Sequence, residues 1–181
     1  CELWFNGVKK FETTSTGVFV DGKALIGHSS SLSIGWIEAR TQVVGTGFND
    51  SSLSLSRYSV GGAPSLVMSQ SRNGTVGQHG ALLQNDSVGS LFFYGSDGNS
   101  FEEVASIKVE IDGAPGNGDM PGRIMFLTTP DGASSATEKM RVRNDRVTVT
   151  TTNAANGLKN ITTSTSAPSG GNDGDLWFTY T

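Results

Sequence analysis

The four strand-length runs from Gly89 to Met140 and just beyond, each closed off by turn residues, restrict this chain's fold more than any other feature. They are Leu91-Phe92-Phe93-Tyr94 within Gly89–Gly98, Ala105-Ser-Ile-Lys-Val-Glu-Ile-Asp112, Arg123-Ile-Met-Phe-Leu127 after Pro121-Gly122, and Glu138-Lys-Met-Arg-Val142. Such runs, rich in β-branched and aromatic side chains and bounded by Gly, Asn, Asp or Pro, read as a strand–turn–strand meander. Ile107, Val109 and Ile111 share one parity while Lys108 and Glu110 take the other, so this strand is expected to have one dry face and one wet face. The runs at 91–94 and 124–127 are apolar on both parities and call for cover on both sides. With few candidate helices in the sequence, that cover is expected from another sheet or another subunit.

Glycine fills 24 of the 181 positions, and charged residues make up only 17%. Clustering of the apolar residues into strand-length runs argues against disorder, which lacks such runs. The net charge of −4 leaves no basic face for nucleic acid. Arg141, Arg143 and Arg146 alternate with Val142 and Val147 and read as the wet side of a strand. The only cysteine is Cys1, which rules out an intrachain disulfide, and no apolar run has the length of a membrane span. The chain begins at Cys1 rather than at methionine and is read as a piece of a longer polypeptide.

Outside the central runs, Asn6-Gly7 is a two-residue hairpin signal between strands at Leu3–Phe5 and Val8–Thr14, and Val18–Val20 lies between Gly17 and Asp21-Gly22. Leu32–Ile37 is expected to be a strand passing into a helical turn at Trp36–Arg40. Further strands are expected at Gln42–Val44, Ser52–Tyr58 and Ser65–Ser69, with looser chain at 77–88. Ser135-Ala-Thr-Glu138 has capping-box spacing and predicts one tight turn. Val147–Thr152, Leu158–Thr163 and Leu176–Tyr180 complete the strands.

Gly89–Gly98, Pro121–Gly132 and Glu138–Val142 together resemble a repeat module of tailed-bacteriophage fibre proteins, and the resemblance spans about residues 43–143. Glu2–Val18 is similar to a short β unit of marine-phage fibres, and Ala167–Phe178 to a segment common near the end of such proteins. The resemblance implies an all-β, elongated homotrimer of short antiparallel strands and hairpins, open to intertwining, with at most one or two helical turns. It also implies a structural role in the virion, with partners in the chain's own copies, in virion proteins at the fibre base, and in a host-surface glycan or outer-membrane protein. A capsid-surface fibre or decoration protein, and a bacterial surface adhesin or filament subunit, stay open as alternatives. On this reading residues 1–27 form a hairpin shaft unit, 28–42 a connector, 43–147 the β-rich module, 148–166 a β extension, and 167–181 a linker with a final strand.

No catalytic, cofactor or metal constellation emerges from the residues. His28 and His79 lie far apart and lack zinc-ligand spacing, although a histidine on a threefold axis would gather three copies. Asp97-Gly98-Asn99 with Glu102 and Glu103, and Asn172–Asp175, depart from the calcium-loop pattern and read as turns. Glu110, Asp112 and Asp119 are acids without a recognisable glycosidase pairing, and no G-x-S-x-G elbow occurs. Trp4, Trp36 and Trp177 are expected in a core or subunit interface rather than stacked on sugars. Asn49, Asn73, Asn85 and Asn160 match the glycosylation acceptor pattern, as chance allows in a chain rich in Asn, Ser and Thr. The loops expected to carry recognition are Gly113–Pro121, Gly74–Asp86 and Asn153–Asn160.

Overall fold

A computed structural model describes residues 1–149, 161–164 and 176–179. The fold is all-β, with one 3-10 turn at Phe48–Ser51 as its only helical element among the described residues. The chain divides into two compact units, Cys1–Leu66 and Val67–Thr181.

In the first unit, β1 (Glu2–Phe5), β2 (Val8–Thr14) and β3 (Gly17–Val20) form an antiparallel meander. The β1–β2 turn puts Asn6 at φ 49° and Gly7 at φ 74°. Those left-handed values suit a two-residue hairpin whose twist matches its strands, and asparagine and glycine tolerate them best. The ribbon is pinned by Lys9, which donates to Glu2 Oε1 at 2.8 Å and also to Glu12, and by Lys10, which donates to Asp21 at 2.8 Å. Two further strands, β4 (Ala24–Ile26) and β5 (Thr41–Val43), pair in parallel.

The expected helical turn at Trp36–Arg40 is absent. Ile34 and Ile37 instead exchange both backbone hydrogen bonds, at 2.9 and 3.0 Å, across a tight Gly35-Trp36 turn with Gly35 at φ 56°. β-branched isoleucines flanking a residue that accepts positive φ favour a hairpin over a helix. The Gln42 amide completes this connector. Its nitrogen donates to Leu32 O and its oxygen accepts from Leu32 N, both at 2.9 Å, as a paired strand would.

In the second unit, β6 (Ser87–Ser96), β7 (Phe101–Ile111), β8 (Gly122–Thr128), β9 (Thr137–Val142) and β10 (Val147–Val149) form one antiparallel sheet in sequence order. Each connection is a hairpin, so each strand finds its partner next along the chain. The capping-box reading at Ser135–Glu138 fails because Thr137 and Glu138 belong to β9, paired with Thr128 and Leu127. β11 (Ile161–Ser164) and β12 (Leu176–Thr179) pair in parallel.

The strands expected at Ser52–Tyr58 and Ser65–Ser69 do not form. From the end of the 3-10 turn to β6 no strand occurs, and residues 53–71 make no backbone–backbone hydrogen bond among the described residues. The alternating pattern of Leu53 and Leu55 suits a strand, but a strand needs a neighbour, and neither flanking segment folds back to supply one. All of residues 51–79 are exposed.

Candidate interaction surface

The register of the five-stranded sheet sorts its side chains onto two unlike faces. Leu91, Ile107, Phe126 and Met140 lie in line, as do Val109, Ile124, Val142 and Val147 in the next row, with Phe93 beside Ala105. The first two rows are apolar from edge to edge, and the third passes from Ala105 to Thr128 and Thr137. The other carries Phe92 beside Ser106, Lys108 beside Met125 and Arg141, and Glu110 beside Arg123.

Away from Ile111, which is buried at the end of β7, burial does not follow the expectation for a single sheet with one dry face. On the apolar face Leu91 is 42% exposed, Phe93 52% and Ile124 40%. On the polar face Met125 and Ser106 are buried. Met125 sits in register between Lys108 and Arg141, whose long stems shelter apolar surface while their charged ends reach water. Lys108 also lies over the Phe92 ring, 5.4 Å from its centre, and Phe92 and Tyr94 meet at 6.1 Å.

The polar face is held by a charged cluster centred on Arg123, only 7% exposed. Its guanidinium donates to Glu110 Oε2 at 2.5 and 3.2 Å, to Asp112 Oδ1 at 3.0 Å and to Asn85 Oδ1 at 2.8 Å. Burial works against the charge of Arg123, but Asp112 and Glu110 outweigh it and hold the guanidinium protonated. Asn85, at φ 71°, also donates its backbone N–H to Ile111 O at 2.9 Å, which ties the segment before β6 to the end of β7. Next to it, Arg72 donates to both oxygens of Asp86 at 2.5 and 2.6 Å, and Leu83 N donates to the same carboxylate. Those donors, Arg72 first, hold the Asp86 carboxyl down at about 2.

The sequence-expected residues are scattered. His28 is exposed and engaged with Ser30, and His79 is exposed. Among the described residues no group of three His, Cys, Asp or Glu is placed to hold a metal. Asp97 Oδ1 accepts from Asn99 N and Ser100 N, both at 2.8 Å, which makes the 97–100 segment the β6–β7 turn and lowers the carboxyl's pKa. Glu102 accepts from Ser100 at 2.7 Å, and Glu103 is half-buried in β7. Glu110 and Asp112 are bound to Arg123, while Asp119 closes an exposed turn with Gly116. Arg141 pairs with Glu138, Arg143 with Asp112 and Arg146 with Asp145, so these three arginines are each engaged by a carboxylate.

Trp4 is exposed on β1, with its N–H donated to Glu2 at 3.2 Å and Lys9 over its ring. Trp36 is exposed in its turn. Neither tryptophan lies in a core of its own chain, which corrects that half of the expectation. Asn49 lies in the 3-10 turn, Asn73 caps a loop by accepting from Thr75 N at 2.9 Å, and Asn85 is committed to Arg123. The Trp177 side chain, Asn160, Asn172–Asp175 and the Asn153–Asn160 loop lie outside the described residues.

Sequence reading missed the Arg123 cluster. Its signal was a lone arginine in an apolar run, at the hairpin distance that sets it opposite Glu110.

No family model matches this sequence, and no curated protein does. Among solved structures, it is similar to the carboxy-terminal domain of the bacteriophage T5 L-shaped tail fibre, with a TM-score of 0.46 and 16% identity. The likeness covers 58% of this chain and 41% of that one.

Proposed function

We propose that this chain is part of a homotrimeric fibre of a tailed bacteriophage, a structural virion component that presents loops to the host surface. The observation that carries the reading is the apolar sheet face around Leu91, Phe93 and Ile124, which its own chain leaves partly exposed. A continuous apolar face of this kind marks an association surface rather than a solvated one. Three copies packing these faces about one axis would give each the cover it lacks. The sequence resemblance across residues 43–143 supplies the fibre and virion context.

In this role the chain needs no chemistry of its own. Attachment follows from avidity, since repeated weak contacts on linked copies multiply into firm binding. The exposed segment Gly74–Gln78 and the turn at Gly116–Asp119 are described loops that a host ligand could reach.

Sedimentation equilibrium of the chain tests the assembly, with a particle of three chains expected and a monomer at micromolar concentration counting against it. Antibody labelling of intact particles then separates a tail location from a head location.

A further inference from the structure

We infer that β6 receives residues 53–57 of a second copy of this chain as an added parallel strand, a proposal that rests on the trimeric reading above. Among the described residues β6 ends its sheet, and over all ten residues from Ser87 to Ser96 it contains no charged residue and no proline. Proteins normally guard a long edge strand with lysine, proline, shortness or a covering segment, because its outer backbone groups are a template for another strand. The opposite edge, β10, is only three residues long.

The donor is identified by what the same sequence leaves unused. Residues 53–57 read Leu-Ser-Leu-Ser-Arg, make no backbone–backbone hydrogen bond among the described residues, and leave Leu53 75% exposed. Added beside β6, the two leucines fall on one face and the two serines on the other, because strand side chains alternate. One register sets Leu53 and Leu55 alongside Leu91 and Phe93, extending the apolar face, and sets Ser54 and Ser56 on the polar side.

Residues 65–71 are also uncharged, but their Met68 already lies against Gly89 of its own chain. A Cβ built on that glycine would stand 2.9 Å from the Met68 sulfur. Charge fixes the direction of the added strand. Arg57 is the only charge in the donor, and a parallel strand points it toward the turn carrying Asp97 and Glu102. An antiparallel strand would point it toward Asp86, whose carboxylate is filled by Arg72 on both oxygens.

The test places a photoreactive p-benzoylphenylalanine at position 93, where an exposed aromatic already stands. After irradiation, products at two or three chain masses are isolated on a denaturing gel and their cross-linked peptides sequenced by mass spectrometry. The expected product joins position 93 of one copy to residues 53–57 of another. The double change Leu53→Asp, Leu55→Asp should reduce its yield at least tenfold while circular dichroism keeps the β signal. A particle of three chains in which no product joins position 93 of one copy to residues 53–57 of another overturns the strand addition and leaves the trimer standing. A monomer in sedimentation overturns both.

Discussion

The five-stranded sheet and the strandless segment just before it draw on the same alphabet of serine, glycine and aliphatic residues, yet only the sheet is ordered by its own chain. Each strand from Ser87 to Val149 pairs with the next along the chain, across tight turns at 97–100 and 143–146 and longer loops at 112–121 and 129–136. Pairing is therefore local, and closing each loop costs little entropy. Residues 53–71 have equally strand-like patterning but make no backbone–backbone hydrogen bond among the described residues, and all of them are exposed. The difference shows that side-chain pattern sets strand potential, while topology decides whether one chain can satisfy it. In the sheet, too, only the polar face is settled within the chain. Arg123 and its partners are complete in a single copy, whereas the apolar face keeps Leu91, Phe93 and Ile124 partly exposed.

The largest effect should come from charging that open face. Phe93→Asp with Ile124→Asp removes two anchors that are half exposed in one copy and would be covered in three. Fully burying a large apolar side chain contributes about 1.5–3 kcal/mol, roughly half of which is left for association here, and burying two carboxylates costs several kcal/mol more, so the pair should weaken association by at least about 3 kcal/mol per copy. A trimer should become a monomer in sedimentation, with a β-type circular dichroism spectrum retained. If the trimer survives, this face is not the interface.

Next in size is the complementary change on the face that needs no partner. Arg123→Ala leaves Glu110 without its arginine, leaves Asp112 with Arg143 alone, and takes the donor from Asn85. Breaking a buried ion pair typically costs 3–5 kcal/mol, and the partial access of both carboxylates to water puts this case near about 3 kcal/mol. Denaturant unfolding should show the loss at every protein concentration. A loss confined to dilute samples would tie the cluster to association instead.

A smaller effect separates turn chemistry from face chemistry. Asp97→Ala removes the acceptor for Asn99 N and Ser100 N in the β6–β7 turn. Losing a local acceptor of this kind loosens the turn without disturbing the rest of the sheet. The change should speed amide exchange at Ser96 and Phe101 and leave exchange in β8 and β9 as it was.

Much of the sheet was legible because its code is local. Alternation at 107–111 and the Asp-Gly and Pro-Gly boundaries locate strands by themselves, and Asn6-Gly7 located a hairpin. The connector at 28–42 was misread because helix and tight hairpin share its composition, and the outcome turned on Gly35 accepting φ 56° between two isoleucines. Residues 52–58 and 65–69 were misread for a different reason, since alternation cannot report whether a partner strand exists. The Arg123 cluster was missed because it joins Asn85, Glu110, Asp112 and Arg123 through hairpin register, which is not a motif in sequence.

The smallest effect tests how firmly the unpaired segment's last residues are moored to the sheet. Arg72 holds Asp86 just ahead of β6, and the carboxyl sits at about 2 where an unfolded chain would have it near 3.8. A depressed carboxyl binds its proton more weakly when folded, so the mooring contributes fully above the unfolded value and fades as pH falls toward about 2. Asp86→Asn should therefore lower the melting temperature slightly at pH 6, and the gap to the unmodified chain should close between about pH 4 and pH 2. The same window should release Arg72 and raise amide exchange at Leu83 while β8 stays protected. A gap that persists unchanged at pH 2 would mean that asparagine disturbs packing there, and that the ion pair does not fasten the strandless segment to the sheet.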